Sequence, residues 1–202
     1  LDDMLGAKPA GPVRAFDVPP DNERHVVIAG FGRFGQIAAR VLRAKRVPFT
    51  ALDISPEQID VVGRFGARAF YGDASRPDIL EAAQTDKALA FVLAIDDMEA
   101  SLRTARIVRE HYPRLAIYAR ARNRTHVHRL MDLGVTVIRR ETFLAALDLT
   151  GELLRGLGYS DRDARFAIDT FKAHDGRRLV EDYKLYTDLE KLQDKARTDA
   201  AN

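Results

Sequence analysis

Cysteine is absent from the 202 residues. Its absence excludes disulfides, thiolate metal sites and a thiol nucleophile. No apolar run approaches the roughly 20 residues of a membrane-spanning helix. Neither sign of charge dominates: 32 basic and 30 acidic residues leave a formal charge of +2, too little to mark a polyanion-binding protein. The five histidines form no ligand set. His126 and His128 stand two apart on an expected helix and fall on different faces, a poor metal pair. A solvated or capping role is expected of all five. No Ser-His-Asp ordering and no P-loop pattern occurs, and only about 60 residues follow the last expected strand, too few for a substrate domain. No enzyme is expected.

What is present begins at His25. The run Val26–Ala29 reads as a buried strand, Gly30, Gly32 and Gly35 form G-x-G-x-x-G, and Gln36–Arg46 reads as a helix. A dinucleotide fold needs this order. One glycine makes the tight turn, one lets the backbone approach a phosphate, and one lets helix and strand pack closely. The helix N-terminus turns free N–H groups and a positive dipole end toward that phosphate. Asp53 closes a second strand, Phe49–Leu52, eighteen residues after Gly35. A carboxylate there accepts from both ribose hydroxyls and repels a 2′-phosphate.

Alternation of strand and helix continues. Ser55-Pro56-Glu57-Gln58 reads as a capped helix start running to Phe65. Further strands are expected at Ala67–Tyr71, Ala88–Ile95, Leu115–Ala119 and Val135–Ile138, with helices between them at Pro77–Gln84, after Asp96-Asp97 to His111, and at Asn123–Leu133. The expected fold is α/β: a doubly wound, parallel, six-stranded Rossmann sheet of order 3-2-1-4-5-6, followed by a helical C-terminal extension. Ligands of such sheets bind at the carboxyl ends of the strands. The residues there are Gly30, Phe31, Gly32, Arg33, Phe34 and Gly35, Asp53 and Ile54, Asp73 and Ala74, Ala94, Ile95 and Asp96, and Arg120. Asp73 is placed for adenine or its ribose, Ala74 and Ile95 for an apolar slot, and Arg33 and Arg120 for phosphate. Asp73 and Asp96 serve equally as helix caps.

The flanks differ in kind. Residues 1–24 hold four of the eight prolines and read as a linker from a preceding, absent part of a longer protein. Residues 25–140 read as the nucleotide-binding domain and 141–202 as helices. In Glu141–Leu157 the large apolar residues cover about 220° of the helical wheel, wider than a surface helix needs. The excess implies either a dimer interface or burial under the chain's own final helices. Residues 160–202 read as two polar helical stretches divided near Asp175-Gly176.

Five segments in order, Ile28-Ala-Gly-Phe-Gly-Arg-Phe-Gly-Gln36, Phe70-Tyr-Gly-Asp-Ala-Ser75, Ala94-Ile-Asp-Asp97, Ala119-Arg-Ala-Arg122 and Arg140-Glu-Thr-Phe143, closely resemble the cytoplasmic regulatory domain of Kef-type glutathione-gated potassium efflux systems. The resemblance covers roughly residues 25–180; its first motif is shared by many RCK or KTN domains, and its later ones favour Kef. It implies a homodimer beneath the membrane antiporter domain of the same polypeptide, on the cytoplasmic face of the bacterial inner membrane. It implies AMP or NAD(H) in the Rossmann site, glutathione or its adducts near the dimer interface, and in some systems an accessory oxidoreductase. Arg40, Phe65 and Arg140 match the family's glutathione pocket. Surface ion pairs for the arginines and a core role for Phe65 are the plainer alternatives. Where the family commonly has an asparagine, this chain has Asp175, which repels a carboxylate but suits an ammonium. A nucleotide-only regulator of another potassium transporter and a small NAD-dependent oxidoreductase are the competing readings. The arginines from Arg120 to Arg140 contain no DNA-reading motif, and no nucleic-acid partner is expected.

Overall fold

A computed structural model describes residues 24–56 and 69–201. The expected linker and the helix to Phe65 lie, almost entirely, outside those residues. The chain divides into two compact units, the division falling between Ile117 and Tyr118.

The first unit is a parallel sheet with helices. Strand β1 (Val26–Ala29) pairs with β2 (Phe49–Asp53) on one side and β4 (Ala90–Leu93) on the other, and β2 pairs with β3 (Ala69–Tyr71). All four residues of β1 are buried, which is what a central parallel strand covered on both faces requires. Helix α1 (Arg33–Ala44) turns its small residues Gly35 and Ala39 inward. Val26, Ile28, Phe31, Ala39 and Ala51 form a core cluster there, and Phe31 stacks on Phe49 at 6.5 Å. Helix α2 (Pro77–Ala82) starts with proline, whose missing N–H costs nothing at that position. Helix α3 (Met98–His111) is capped by Asp97, whose carboxylate accepts from Ala100 N–H at 2.7 Å.

In the second unit β5 (Ile117–Ala121), which starts at the division, pairs in parallel with β6 (Val137–Arg140). Between them lies α4 (Arg124–Asp132), capped by Asn123, which accepts from His126 N–H at 2.8 Å. Helices α5 (Phe143–Gly156) and α6 (Asp161–Ala201) follow. In each unit the strand neighbours are those that the order 3-2-1-4-5-6 requires.

Three expectations change. Strands five and six begin two residues later than expected: Val135 N–H turns back to the Leu130 carbonyl at 3.1 Å and closes the turn after α4 before the strand starts. The two polar helical stretches are one helix of 41 residues, continuous through Asp175-Gly176. A glycine inside a helix costs only about 1 kcal/mol relative to alanine, and the neighbouring Asp175 is paired with Arg124 and Arg140. The histidines are not all solvated. His25 and His126 are fully buried and His128 nearly so. His25 Nε2 reaches the Ala83 carbonyl at 3.0 Å, His126 Nδ1 accepts from Arg122 N–H at 3.3 Å, and His128 Nε2 reaches the Leu179 carbonyl at 3.0 Å. Each fastens one segment to another.

Candidate functional site

The carboxyl ends of β1, β2, β3 and β4 converge in the first unit because the strands run parallel in register. Ala29 lies opposite Leu52 and Leu93, and Asp53 opposite Tyr71. Backbone bonds continue the convergence past the strands: Gly30 N–H donates to the Leu52 carbonyl at 2.8 Å, and Gly72 N–H to that of Asp53 at 2.9 Å.

The three glycines of the loop answer to three different constraints. Gly30 has φ +92°, and a Cβ there would stand 2.7 Å from the backbone of Ala94 and Ile95. A Cβ at Gly35 would stand 2.1 Å from the Gly30 carbonyl oxygen. Protein backbone therefore forbids a side chain at both. Gly32 is the opposite case: its φ of −67° suits any residue and a Cβ would meet nothing within 4 Å. The protein itself does not require glycine at 32. Clear space beside the first turn of a helix is what a phosphate approaching the backbone needs. Gly32 is the N-cap of α1 and supplies no side-chain oxygen, and the first turn holds no acidic residue. The first-turn N–H groups of Arg33, Phe34 and Gly35 therefore meet no capping side chain, the arrangement that suits an anion.

Asp53 is fixed on both oxygens. Phe31 N–H donates to Oδ2 at 2.6 Å, and Ser55 N–H donates to Oδ1 at 2.8 Å. Each oxygen keeps acceptor capacity for a ribose hydroxyl. Phe31 enters the site differently from its neighbours: its ring is buried in the core and its N–H is held by Asp53. Ile54 is 66% exposed, whereas Ala74 is buried, so the apolar slot expected of Ala74 and Ile95 has its free surface on Ile54 and the half-buried Ile95. Asp73 does not cap α2, whose N-cap is Arg76; its Oδ1 accepts from Ser75 N–H at 2.8 Å in a local turn, and the residue is exposed. Asp96 is exposed beside the capping Asp97. Arg33 is exposed at the start of α1, and Arg40 is exposed further along it. Phe65 lies outside the described residues.

The second unit holds a separate cluster. Arg140 ends β6 and binds both carboxylate oxygens of Asp175 on α6, the closer contact being Nη2 to Oδ2 and the other, Nη1 to Oδ1, 3.5 Å. Arg124 Nη1 donates to Asp175 Oδ1 at 2.8 Å, and its Nη2 donates to Asp182 Oδ2 at 3.2 Å. The Arg140 guanidinium also lies 3.9 Å over the Phe143 ring. Asp175 is 7% exposed. Beside the cluster a groove of about 510 Å³ runs between α5 and α6, with Arg140 and Asp175 at its charged end and Phe143, Leu147, Ile168 and Phe171 along its apolar walls. A second cavity of about 400 Å³, lined by Arg124, His174, Arg178 and Asp182, shares Asp175 and Phe171 with it. Arg120 lies in this unit and is buried, its Nη2 2.6 Å from Glu141 Oε2. Sequence reasoning missed Arg124 in the cluster; its partner is 51 positions away and no local pattern links them.

A parallel sheet whose first glycine loop meets an acid at the end of β2 defines a Rossmann-type domain of the nucleotide-holding kind. The chain matches the TrkA-N domain over residues 26–140 and belongs to that family. Residues 145–202 match the potassium efflux system KefB C-terminal domain. The glutathione-regulated potassium-efflux system protein KefC of Salmonella paratyphi B is 41% identical over 172 residues, which is 85% of this chain and 28% of that protein. The chain thus spans little more than a quarter of the curated relatives it matches. Among solved structures, the Shewanella denitrificans Kef CTD in AMP-bound form is 43% identical with a TM-score of 0.74, covering 80% of this chain and 99% of that one. GsuK bound to ADP is 28% identical with a TM-score of 0.56, covering 65% and 34%. The Kef relatives belong to potassium-efflux systems and are not enzymes. Among the described residues no helix is long and apolar enough to cross a membrane, and no group of three or more His, Asp or Glu is placed to hold a metal.

Proposed function

We propose that this chain is the ligand-sensing regulatory domain of a bacterial potassium/proton antiporter. It holds AMP or NAD(H) in the first unit and glutathione or its adducts near a dimer interface, at the cytoplasmic face of the inner membrane. Residues 1–24 are the linker from the membrane part, 25–140 the nucleotide domain and 141–202 the dimerisation and peripheral helices. The observation that carries the nucleotide half is Gly32. Its clear space stands beside an uncapped helix start and the fixed carboxylate of Asp53, and a 43% identical relative is known in AMP-bound form. Phosphate meets the N–H groups of Arg33–Gly35, and ribose meets Asp53. Ile54 and Ile95 flank the base, while Asp73, Ala74, Ala94 and Asp96 shape the rim; Arg33 supplies cationic charge, and Arg120, expected there too, is instead buried against Glu141 in the second unit.

The dimer is supported by α5. Leu149, Leu153 and Leu157 recur every four residues on one face and are 72%, 58% and 66% exposed, an apolar stripe of the kind a partner covers. In this reading Arg140 and Asp175 belong to the glutathione site, to which the sequence resemblance adds Arg40 and Phe65, and the two carboxylates of glutathione are drawn to the arginines. An accessory oxidoreductase is a further partner of the assembled system. The second reading, a nucleotide-only regulator, is favoured by one observation: Asp175 already takes up Arg140.

Calorimetric titration of the protein with AMP, NAD and NADH, then with glutathione and a bulky S-substituted glutathione, tests both. Nucleotide binding in the protein and in its Arg140→Ala variant, with both glutathione responses lost only in the variant, is expected. Nucleotide binding without any glutathione response up to millimolar concentration establishes the second reading, and no nucleotide binding refutes both.

A further inference from the structure

The Arg124–Asp175–Arg140 cluster is unusual in what it encloses. Asp175 is 7% exposed, is paired on both oxygens, and forms the shared wall of two cavities. A buried ion pair of this kind is poor evidence for stability, since the desolvation cost offsets most of the attraction. Its better-attested use is to hold one of two arrangements in place. Two guanidiniums converging on one carboxylate also form the geometry that receives a carboxylate from a ligand.

We infer that Asp175 is an internal competitor for an anionic ligand. Its carboxylate occupies the place between Arg124 and Arg140 that a ligand carboxylate would take, so the ligand enters only when Asp175 withdraws. The groove supports this placement: its charged end is Arg140 with Asp175, and apart from Thr150 the remaining walls are apolar, including the Phe143 ring beneath Arg140 and the Phe171 ring 6.4 Å from it. The matching ligand class is a small carboxylate joined to an apolar substituent, the substituent lying along α5 and α6. Asp182, which holds the far side of Arg124, gives Arg124 a second partner when Asp175 leaves. This inference rests on the reading of the second-unit cluster as the glutathione site, and it adds that the resting state of that site is self-occupied.

If the withdrawn state has a population on the order of 1–10%, apparent affinity falls about 10- to 100-fold below that of an open site. Asp175→Asn removes the competing charge while keeping the side chain's size. The test is titration of the protein, Asp175→Asn and Asp182→Asn with glutathione, a bulky S-substituted glutathione and sulfate. AMP titration and thermal melting verify that each variant is folded. A gain of about tenfold or more in glutathione affinity for Asp175→Asn, with little change for Asp182→Asn, is the expected result. Unchanged or weaker binding in Asp175→Asn overturns the competitor and leaves the glutathione site standing where the parent protein binds. An equal gain in Asp182→Asn overturns it too, because general charge removal then accounts for the effect. Glutathione inert in all three, with sulfate tighter only in Asp175→Asn, upholds the competitor and rejects glutathione. No anion binding in any of them overturns both.

Discussion

Gly32 and Gly35 separate the needs of the ligand from the needs of the fold, and alanine at each position measures them apart. At Gly35 the new Cβ would lie 2.1 Å from the Gly30 carbonyl oxygen, a backbone atom that cannot turn aside. Either α1 moves off β1 or the loop deforms, and overpacking of this severity costs about 3 kcal/mol. For a protein of this size that is a fall in Tm of roughly 6–12 °C. At Gly32 the Cβ meets nothing within 4 Å and φ is −67°. The exchange of glycine for alanine at an N-cap then changes stability by less than about 1 kcal/mol, or roughly 2–4 °C. The same Cβ fills the space that the proposed phosphate would take, so AMP affinity is expected to fall by about tenfold or more, the equivalent of about 1.4 kcal/mol. Scanning fluorimetry and calorimetry on the two variants supply both numbers. Gly32→Ala with unchanged AMP affinity would refute the claim that the ligand, not the fold, requires this glycine. Gly35→Ala with an unchanged Tm would refute the close-approach argument.

Other perturbations test neighbouring features. Asp53→Ala removes the acceptor for Phe31 N–H and Ser55 N–H; a loss of about 1–3 kcal/mol in denaturant melts, with weakened AMP binding, is expected. Leu153→Lys places a charge in the exposed stripe of α5, so sedimentation is expected to show a dimer for the parent protein and a monomer for the variant, with Tm unchanged. The Asp78 carboxyl is held below its ordinary value of 3.8 by its hydrogen bond to Arg76. A carboxyl whose folded pKa is lowered stabilises the fold above its unfolded pKa and loses that contribution as pH falls through the lower, folded value. Asp78→Asn should therefore flatten the acid limb of the stability profile below about pH 4, by a small margin because the pair is exposed.

Backbone-level features were legible in the sequence. The alternation of apolar runs with amphipathic stretches predicted each strand within a few residues, since parallel strands covered on both faces leave a continuous apolar signature. The loop glycines followed from a tight turn, a phosphate approach and a close packing of helix on strand, and Asp53 followed from its spacing. Features that depend on distant partners were not legible. His25 reads as the polar start of a strand, yet Ala83, 58 positions on, gives it a buried acceptor. Gly176 reads as a break, yet the helix passes through it, and the neighbouring Asp175 meets Arg124 and Arg140, 51 and 35 positions earlier. Local propensity costs only about 1 kcal/mol at such a glycine, too little to interrupt a helix of this length.

Helix α6 has mechanical consequences as well as chemical ones. Its 41 residues make a rod about 60 Å long at 1.5 Å per residue. Asp175, Leu179 and Tyr183 tie one stretch of the rod to Arg140, His128 and Asp132. Ala201 lies eighteen residues past Tyr183, about 27 Å further along the axis. A tilt of about 5° at the tied stretch carries that end through about 2 Å, a lever arm obtained from regular helix geometry alone. The proposed exchange of one carboxylate for another at Asp175 would act at the fulcrum, so a rearrangement of side chains there becomes a displacement on the scale of an atom's diameter at the tip.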